Sequence, residues 1–203
     1  GLIYISEPGN LLSYNLDQNI YTCFDFEYNA WKNKRVPEKK HKENYWNNTV
    51  NWNPEDSTLI SFGGYGHYQF NHELLISHPM SSKPQKRTYI KEIDPRRSAA
   101  SVLVDSILYV FGGRGCPSGK QEMTQRYYYD LHAINIHSMQ VFKLWEIVKR
   151  PIDGDFVPSS NMIFDEKNDC FYIMTNQLGG TMMRLDRNEP KIEITSLPIW
   201  EFY

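Results

Sequence analysis

Apolar residues along this chain fall in short runs rather than at helical spacing. Within Ser98–Gly113, SAASVLVDSILYVFGG, one run at Val102–Val104 and another at Ile107–Phe111 are separated by Asp105-Ser106 and stopped by Gly112-Gly113. The stretch predicts two strands joined by a tight turn. Runs without polar alternation belong to strands buried on both faces. The design recurs upstream in Val50–Gly64, VNWNPEDSTLISFGG, and downstream in Asn161–Asn176, NMIFDEKNDCFYIMTN, with a fragment, Leu2–Ser6, near the amino terminus.

Aligning the runs puts Ile3, Leu59, Leu108 and Phe171 in register at spacings of 56, 49 and 63 residues, a repeat long enough for a small sheet in each unit. Unit one (1–27) reads as Leu2–Ser6, Leu11–Asp17 and Ile20–Phe26, with a turn at Glu7-Pro8-Gly9-Asn10 and its innermost strand missing. Unit two (48–93) reads as Thr49–Asn53, Thr58–Phe62, Glu73–Ser77 and Arg87–Ile93. Unit three (97–147) reads as Ala99–Val104, Ile107–Phe111, Tyr127–His137 and Gln140–Ile147. Unit four (159–196) reads as Asn161–Phe164, Cys170–Thr175, Thr181–Asp186 and Lys191–Thr195. No segment sustains a 3.6-residue period with capping residues, so no long helix is expected. The link Glu27–Asn47, with Lys32, Lys34, Arg35, Lys39, Lys40 and Lys42 between Trp31 and Trp46, reads as a solvated connection.

At 203 residues, 40% hydrophobic and 14% aromatic, the chain can bury a substantial core. A net charge of -2 gives no general attraction to nucleic acid, and no apolar stretch is long enough for a transmembrane helix. Cys23, Cys116 and Cys170 are too dispersed for a metal signature or a disulfide framework. Cys23 and Cys170 lie in apolar runs and read as core thiols, with one bridge among the three left open.

The third unit resembles a kelch repeat: an apolar strand closed by Gly112-Gly113, Tyr129 in the next strand, Trp145 in the last, and Arg96-Arg97-Ser98 as lead-in. Unit two shares Gly63-Gly64 but has no closing tryptophan. Unit four has Thr175-Asn176 in place of the glycines, with Gly179-Gly180 further on. The resemblance implies an all-β fold, a β-propeller of four-stranded antiparallel blades in the kelch and galactose oxidase-like family. About four blades lie in this chain, and residues outside it or another subunit would complete a larger ring. It also implies that Tyr129 and Trp145 stand as plates between neighbouring sheets.

Loops at the ends of such a ring form its binding surface. Here they are Tyr65–His72, rich in aromatics and histidine, and the long excursion Arg114–Arg126. Tyr65, His67, Tyr68, Arg114 and Arg126 are therefore the candidate ligand residues, with aromatic plates for a sugar or peptide and guanidiniums for carboxylates. The six histidines (His41, His67, His72, His78, His132, His137) have no metal-ligand spacing, and no nucleophile elbow, P-loop or zinc-protease motif occurs. Asp165, Glu166 and Asp169 sit where turn geometry alone calls for such residues. The expected function is a non-catalytic recognition module for a protein or glycan, with no cofactor and no metal. A carbohydrate-active propeller enzyme, oxidase or sugar isomerase, is the alternative, and a sensory or structural module of a larger bacterial surface or signalling protein is a third reading.

Overall fold

A computed structural model describes residues 2–5, 10–18, 20–33, 45–79, 83–121, 124–148, 154–175 and 180–195. Among these the chain is all-β, with no helix. The basic run 34–42, His41, Glu122, the turn residues 6–9, Asn176, Gly179 and the final residues 196–203 lie outside the described segments.

The first sheet is a meander of β1 (Leu2–Ile5), β2 (Asn10–Asn15), β3 (Ile20–Asp25) and β4 (Ala30–Asn33), in that order. The second contains β5 (Thr49–Asn53) and β6 (Thr58–Phe62). A small hairpin of β7 (Tyr65–Gly66) and β8 (Gln69–Phe70) then interrupts the path before β9 (Glu73–Ser77) and β10 (Lys86–Tyr89) complete that sheet. The third follows the short β11 (Arg96–Arg97) and comprises β12 (Ala100–Val104), β13 (Ile107–Gly115), β14 (Arg126–Asn135) and β15 (Val141–Glu146). The fourth comprises β16 (Pro158–Asp165), β17 (Cys170–Thr175), β18 (Thr181–Asp186) and β19 (Ile192–Ile194). Within each sheet neighbouring strands are antiparallel. A parallel bridge, Ser101 to Asn161, joins β12 to β16, so the third and fourth sets of strands form one continuous nine-stranded sheet in which β11 pairs with β13.

Three apolar layers hold the sheets together, one between each consecutive pair. Leu12, Tyr21 and Cys23 meet Leu59 and Leu75. From the other face of the second sheet, Ile60, Phe62 and Leu74 meet Leu108, Val110 and Ile134. From the other face of the third, Tyr109, Phe111, Leu131 and Trp145 meet Phe171, Ile173, Met183 and Leu185. Successive residues of β6, β13 and β14 thus enter opposite layers, as the pleat requires, and these runs need no polar alternation. First strands approach one another closely: β12 lies beside both β5 and β16, and Asn51 Nδ2 donates to Ser101 Oγ at 2.6 Å.

Four details differ from the sequence pattern. Sheet one has a complete set of four strands, because Ala30–Asn33, placed in the link by its charge, pairs with β3 through Trp31 opposite Phe24. Ile3 therefore sits on a first strand, and Leu11, opposite Tyr4 as Leu59 is opposite Trp52, occupies the place that Leu59 holds in the next sheet. The outer strand of sheet two stops at Tyr89, and Ile90 and Ile93 are buried beyond it in a turn closed by Ile93 N donating to Ile90 O at 3.3 Å. Strand β13 does not end at its double glycine but continues through a bulge to Gly115. The bridge left open among the cysteines does not form: all three are buried and none is in a disulfide.

Both glycine pairs have positive φ, 69° and 122° at Gly63-Gly64 and 63° and 105° at Gly112-Gly113. Each pair also lies against the lead-in of the following sheet. A Cβ on Gly63 would stand 2.7 Å from Arg96 O, and one on Gly112 would stand 3.1 Å from Tyr128 O and 3.6 Å from the Pro158 ring. Only glycine satisfies both the dihedral and the approach. Gly63→Ala is expected to lower unfolding stability by roughly 2–4 kcal/mol, read from the shift of the urea midpoint at unchanged slope.

Candidate functional site

The lead-in Arg96-Arg97 carries a buried cation. Arg96 is 1% exposed. Its Nη1 and Nη2 reach Asp130 Oδ1 and Oδ2 at 2.5 and 3.0 Å, its Nε donates to Asp94 O at 2.9 Å, and Nη1 also donates to Gly112 O at 3.1 Å. The guanidinium lies 3.9 Å from the centre of the Tyr128 ring. A bidentate fork with two further N–H groups on backbone carbonyls is the geometry in which a buried pair offsets its desolvation. Burial by itself would raise the Asp130 carboxyl, but the charge and hydrogen bonds of Arg96 hold it below the usual carboxylate range.

His132 stands two residues further along the same face of β14, with its side chain 3% exposed and Nδ1 3.8 Å from Asp130 Oδ2, beyond hydrogen-bond reach. That nitrogen has no hydrogen-bond partner. Burial pushes the imidazole down to about 4, against the pull of Asp130, so it is neutral at pH 7.

Above this cluster opens a cleft of about 570 Å³ between the link from sheet two, strands β14 and β15, and the link to sheet four. Glu92 and Asp94 form one side, Arg126 and Tyr128 another, and Lys143, Glu146 and Asp155 the rest. The register shift between Leu131 and His132 splays β14 from β15 here. At the edge of the cleft, Tyr129 donates to Asp155 Oδ1 and accepts from Phe156 N, both at 3.2 Å. Trp145, 5.9 Å from Phe111, donates to Asp186 O of the fourth sheet at 3.0 Å. These two aromatics stand between sheets three and four.

Among the loop residues singled out in the sequence, Tyr65, His67 and Tyr68 come together on the β7–β8 hairpin. His67 and Tyr68 are its two turn residues, both at positive φ (46° and 63°), as a type I′ turn demands, and Tyr68 is 73% exposed. The excursion after β13 packs onto this hairpin: Phe70 N donates to Gly119 O at 2.7 Å, Gln121 N donates to Tyr68 O at 3.0 Å, and Tyr65 Oη bonds the Gln121 side chain. Arg97 lies over the Tyr65 ring at 5.3 Å. Arg114 and Arg126 are not at the tip. They stand at the base of the excursion on paired strands, Arg114 half-buried over the Tyr127 ring at 5.3 Å and Arg126 exposed at the cleft.

Asp130 and His132 were missed as site residues. Their signal was two polar residues at alternate positions of a strand whose neighbours are all apolar or aromatic. Among the described residues no three His, Cys, Asp or Glu side chains gather as metal ligands. Asp165 accepts from Asn168 N at 3.2 Å and Asp169 has φ 47°, both within a turn.

No family model and no curated protein sequence matches the chain. In its fold it is similar to a solved structural genomics protein of unknown function from Bacteroides thetaiotaomicron VPI-5482, with a TM-score of 0.54, 11% identity and 91% of this chain covered. The chain spans 40% of that protein's length.

Arg96→Met or Asp130→Leu alone is expected to cost about 3–5 kcal/mol by stranding a buried charge, whereas the double variant costs less than the sum; urea unfolding of the four proteins closes the cycle. The depressed His132 also fixes a pH dependence. The unfolded imidazole takes up its proton near 6.5 and the folded one only near 4, so stability is full above about 6.5 and falls as pH drops towards 4. The loss attributable to this group is roughly 2–3 kcal/mol, and His132→Gln flattens that window in urea titrations at successive pH values.

Proposed function

We propose that the four sheets are consecutive blades of a kelch-type β-propeller, and that the chain is a recognition module binding a protein or glycan through the platform made by the β7–β8 hairpin and the excursion packed on it. The stacking order supports the first part: each sheet meets the next through one apolar layer, and each double glycine admits the next lead-in. The outer faces of the end sheets support a larger ring. On sheet one, Tyr4, Leu11, Phe24 and Trp31 face one another in register across all four strands, with Tyr4 62% and Trp31 46% exposed. On sheet four, Ile163 and Met174 are exposed on the face turned away from sheet three. Such faces call for further sheets of the same kind, from outside this chain or from another subunit.

The observation that carries the binding reading is the locking of two separate loops into one platform with His67 and Tyr68 at its exposed tip. A backbone-braced turn presents an aromatic ring at little entropic cost. Replacing the tip by His67→Asn and Tyr68→Gly keeps the I′ turn and removes both side chains. Binding on a glycan array and to a displayed peptide library is expected to fall at least about tenfold with the thermal midpoint unchanged; undiminished binding overturns the assignment.

A further inference from the structure

The cleft over His132 is separate from the hairpin platform, and its lining has a definite sign. Five carboxylates, Glu92, Asp94, Asp130, Glu146 and Asp155, face three cations, Arg96, Arg126 and Lys143. Arg96 is spent on Asp130 and Lys143 on Glu146. That leaves Glu92 and Asp94 against Arg126, which has no carboxylate partner among the described residues. Asp155 already accepts from Tyr129. At the floor, His132 adds a neutral imidazole whose Nδ1 is without a partner. Carboxylates without a cation partner therefore outnumber free cations among the described lining residues of a cavity whose volume suits a small molecule.

We propose that this cleft binds a small molecule bearing a primary ammonium group, with Asp94 and Glu92 as its counter-charges and Tyr128 beside it. An ammonium offers three donors and no acceptor, the complement of this lining. A phosphate or carboxylate would meet an excess of negative charge, and a neutral polyol would leave that excess uncompensated. Asp94 is the better placed of the two carboxylates, being half-buried where Glu92 is exposed, and its charge acts on the Tyr128 hydroxyl. Arg126 opposes the ligand, which gives the site a signature of opposite signs. The inference does not depend on the recognition platform, whose exposed tip, His67 and Tyr68, lies outside this lining.

Matched pairs test it on the whole chain. Calorimetric titration with 1,4-diaminobutane against 1,4-butanediol, and with glucosamine against glucose, isolates the ammonium and distinguishes an alkyl from a sugar source. Saturable binding of at least one amine, with its hydroxyl counterpart at least about tenfold weaker, is the expected result. Asp94→Asn then weakens that amine by roughly fivefold and Arg126→Gln tightens it by roughly threefold. Should Asp94→Asn not fold, Glu92→Gln on the exposed side reports the same sign. Equal binding within both pairs, no binding of either amine, or weakening by Arg126→Gln each overturns the proposal.

Discussion

The architecture depends on removing the apolar faces between consecutive small sheets from water. A four-stranded sheet with Leu59 and Leu75 on one side and Ile60, Phe62 and Leu74 on the other has no solvent face to spare, and at about 25 cal/mol per Å² of apolar surface neither side can be left open cheaply. Stacking is the available solution, and it dictates the route of the chain. Sheets succeed one another in chain order, each lead-in crosses from one sheet to the next, and the crossing points need glycine, because the lead-in backbone passes where a Cβ would stand.

The buried Arg96–Asp130 pair sits at one of those crossings. Its partners belong to three different parts of the chain: the link before β11, the bulge at Gly112 and the face of β14. An apolar substitute could fill the same volume, but it would not satisfy Asp94 O and Gly112 O, two carbonyls that the lead-in and the bulge withdraw from regular pairing. We read the pair as a registration device that fixes where sheet three begins relative to its own third strand. That use of a buried charge is better attested than a gain in stability. The neutral, partnerless His132 beside it follows from the same local shortage of water.

Most strands were legible because a doubly buried strand is written as an unbroken apolar run between turn residues. Thr58–Phe62, buried at every position, could be bounded to the residue, and so could Cys170–Thr175 and Thr181–Asp186, each buried chiefly on one face. Ala30–Asn33 escaped because Lys32 and its flanking charges outweigh one tryptophan at an edge, where a strand needs only one paired side. The β7–β8 hairpin escaped for a different reason: its turn residues are His67 and Tyr68 rather than Asn-Gly, and positive φ at such residues is imposed by the packed excursion, not by local preference. The site was less legible still. Composition singles out Tyr65, His67 and Tyr68 as one loop cluster, but Asp130 and His132 acquire meaning only when Arg96, 34 residues before Asp130, is folded against them.

The same constraint limits where this molecule can meet anything else. Between consecutive sheets the faces are consumed by packing, so the free surface consists of strand edges, connections and the two outermost faces. The outermost faces carry apolar rows of the kind that the inner layers bury, which suits another sheet better than a soluble ligand. Connections remain, and they are used in two ways. One is built outward, where two loops brace each other and hold Tyr68 in solvent. The other is built inward, where the register of β14 against β15 shifts and charged side chains line a cleft over the buried Arg96, Asp130 and His132. A projecting aromatic tip suits a large partner surface, and a recessed acidic cleft suits a small cation; the chemistry of each follows from how its connection leaves the sheet.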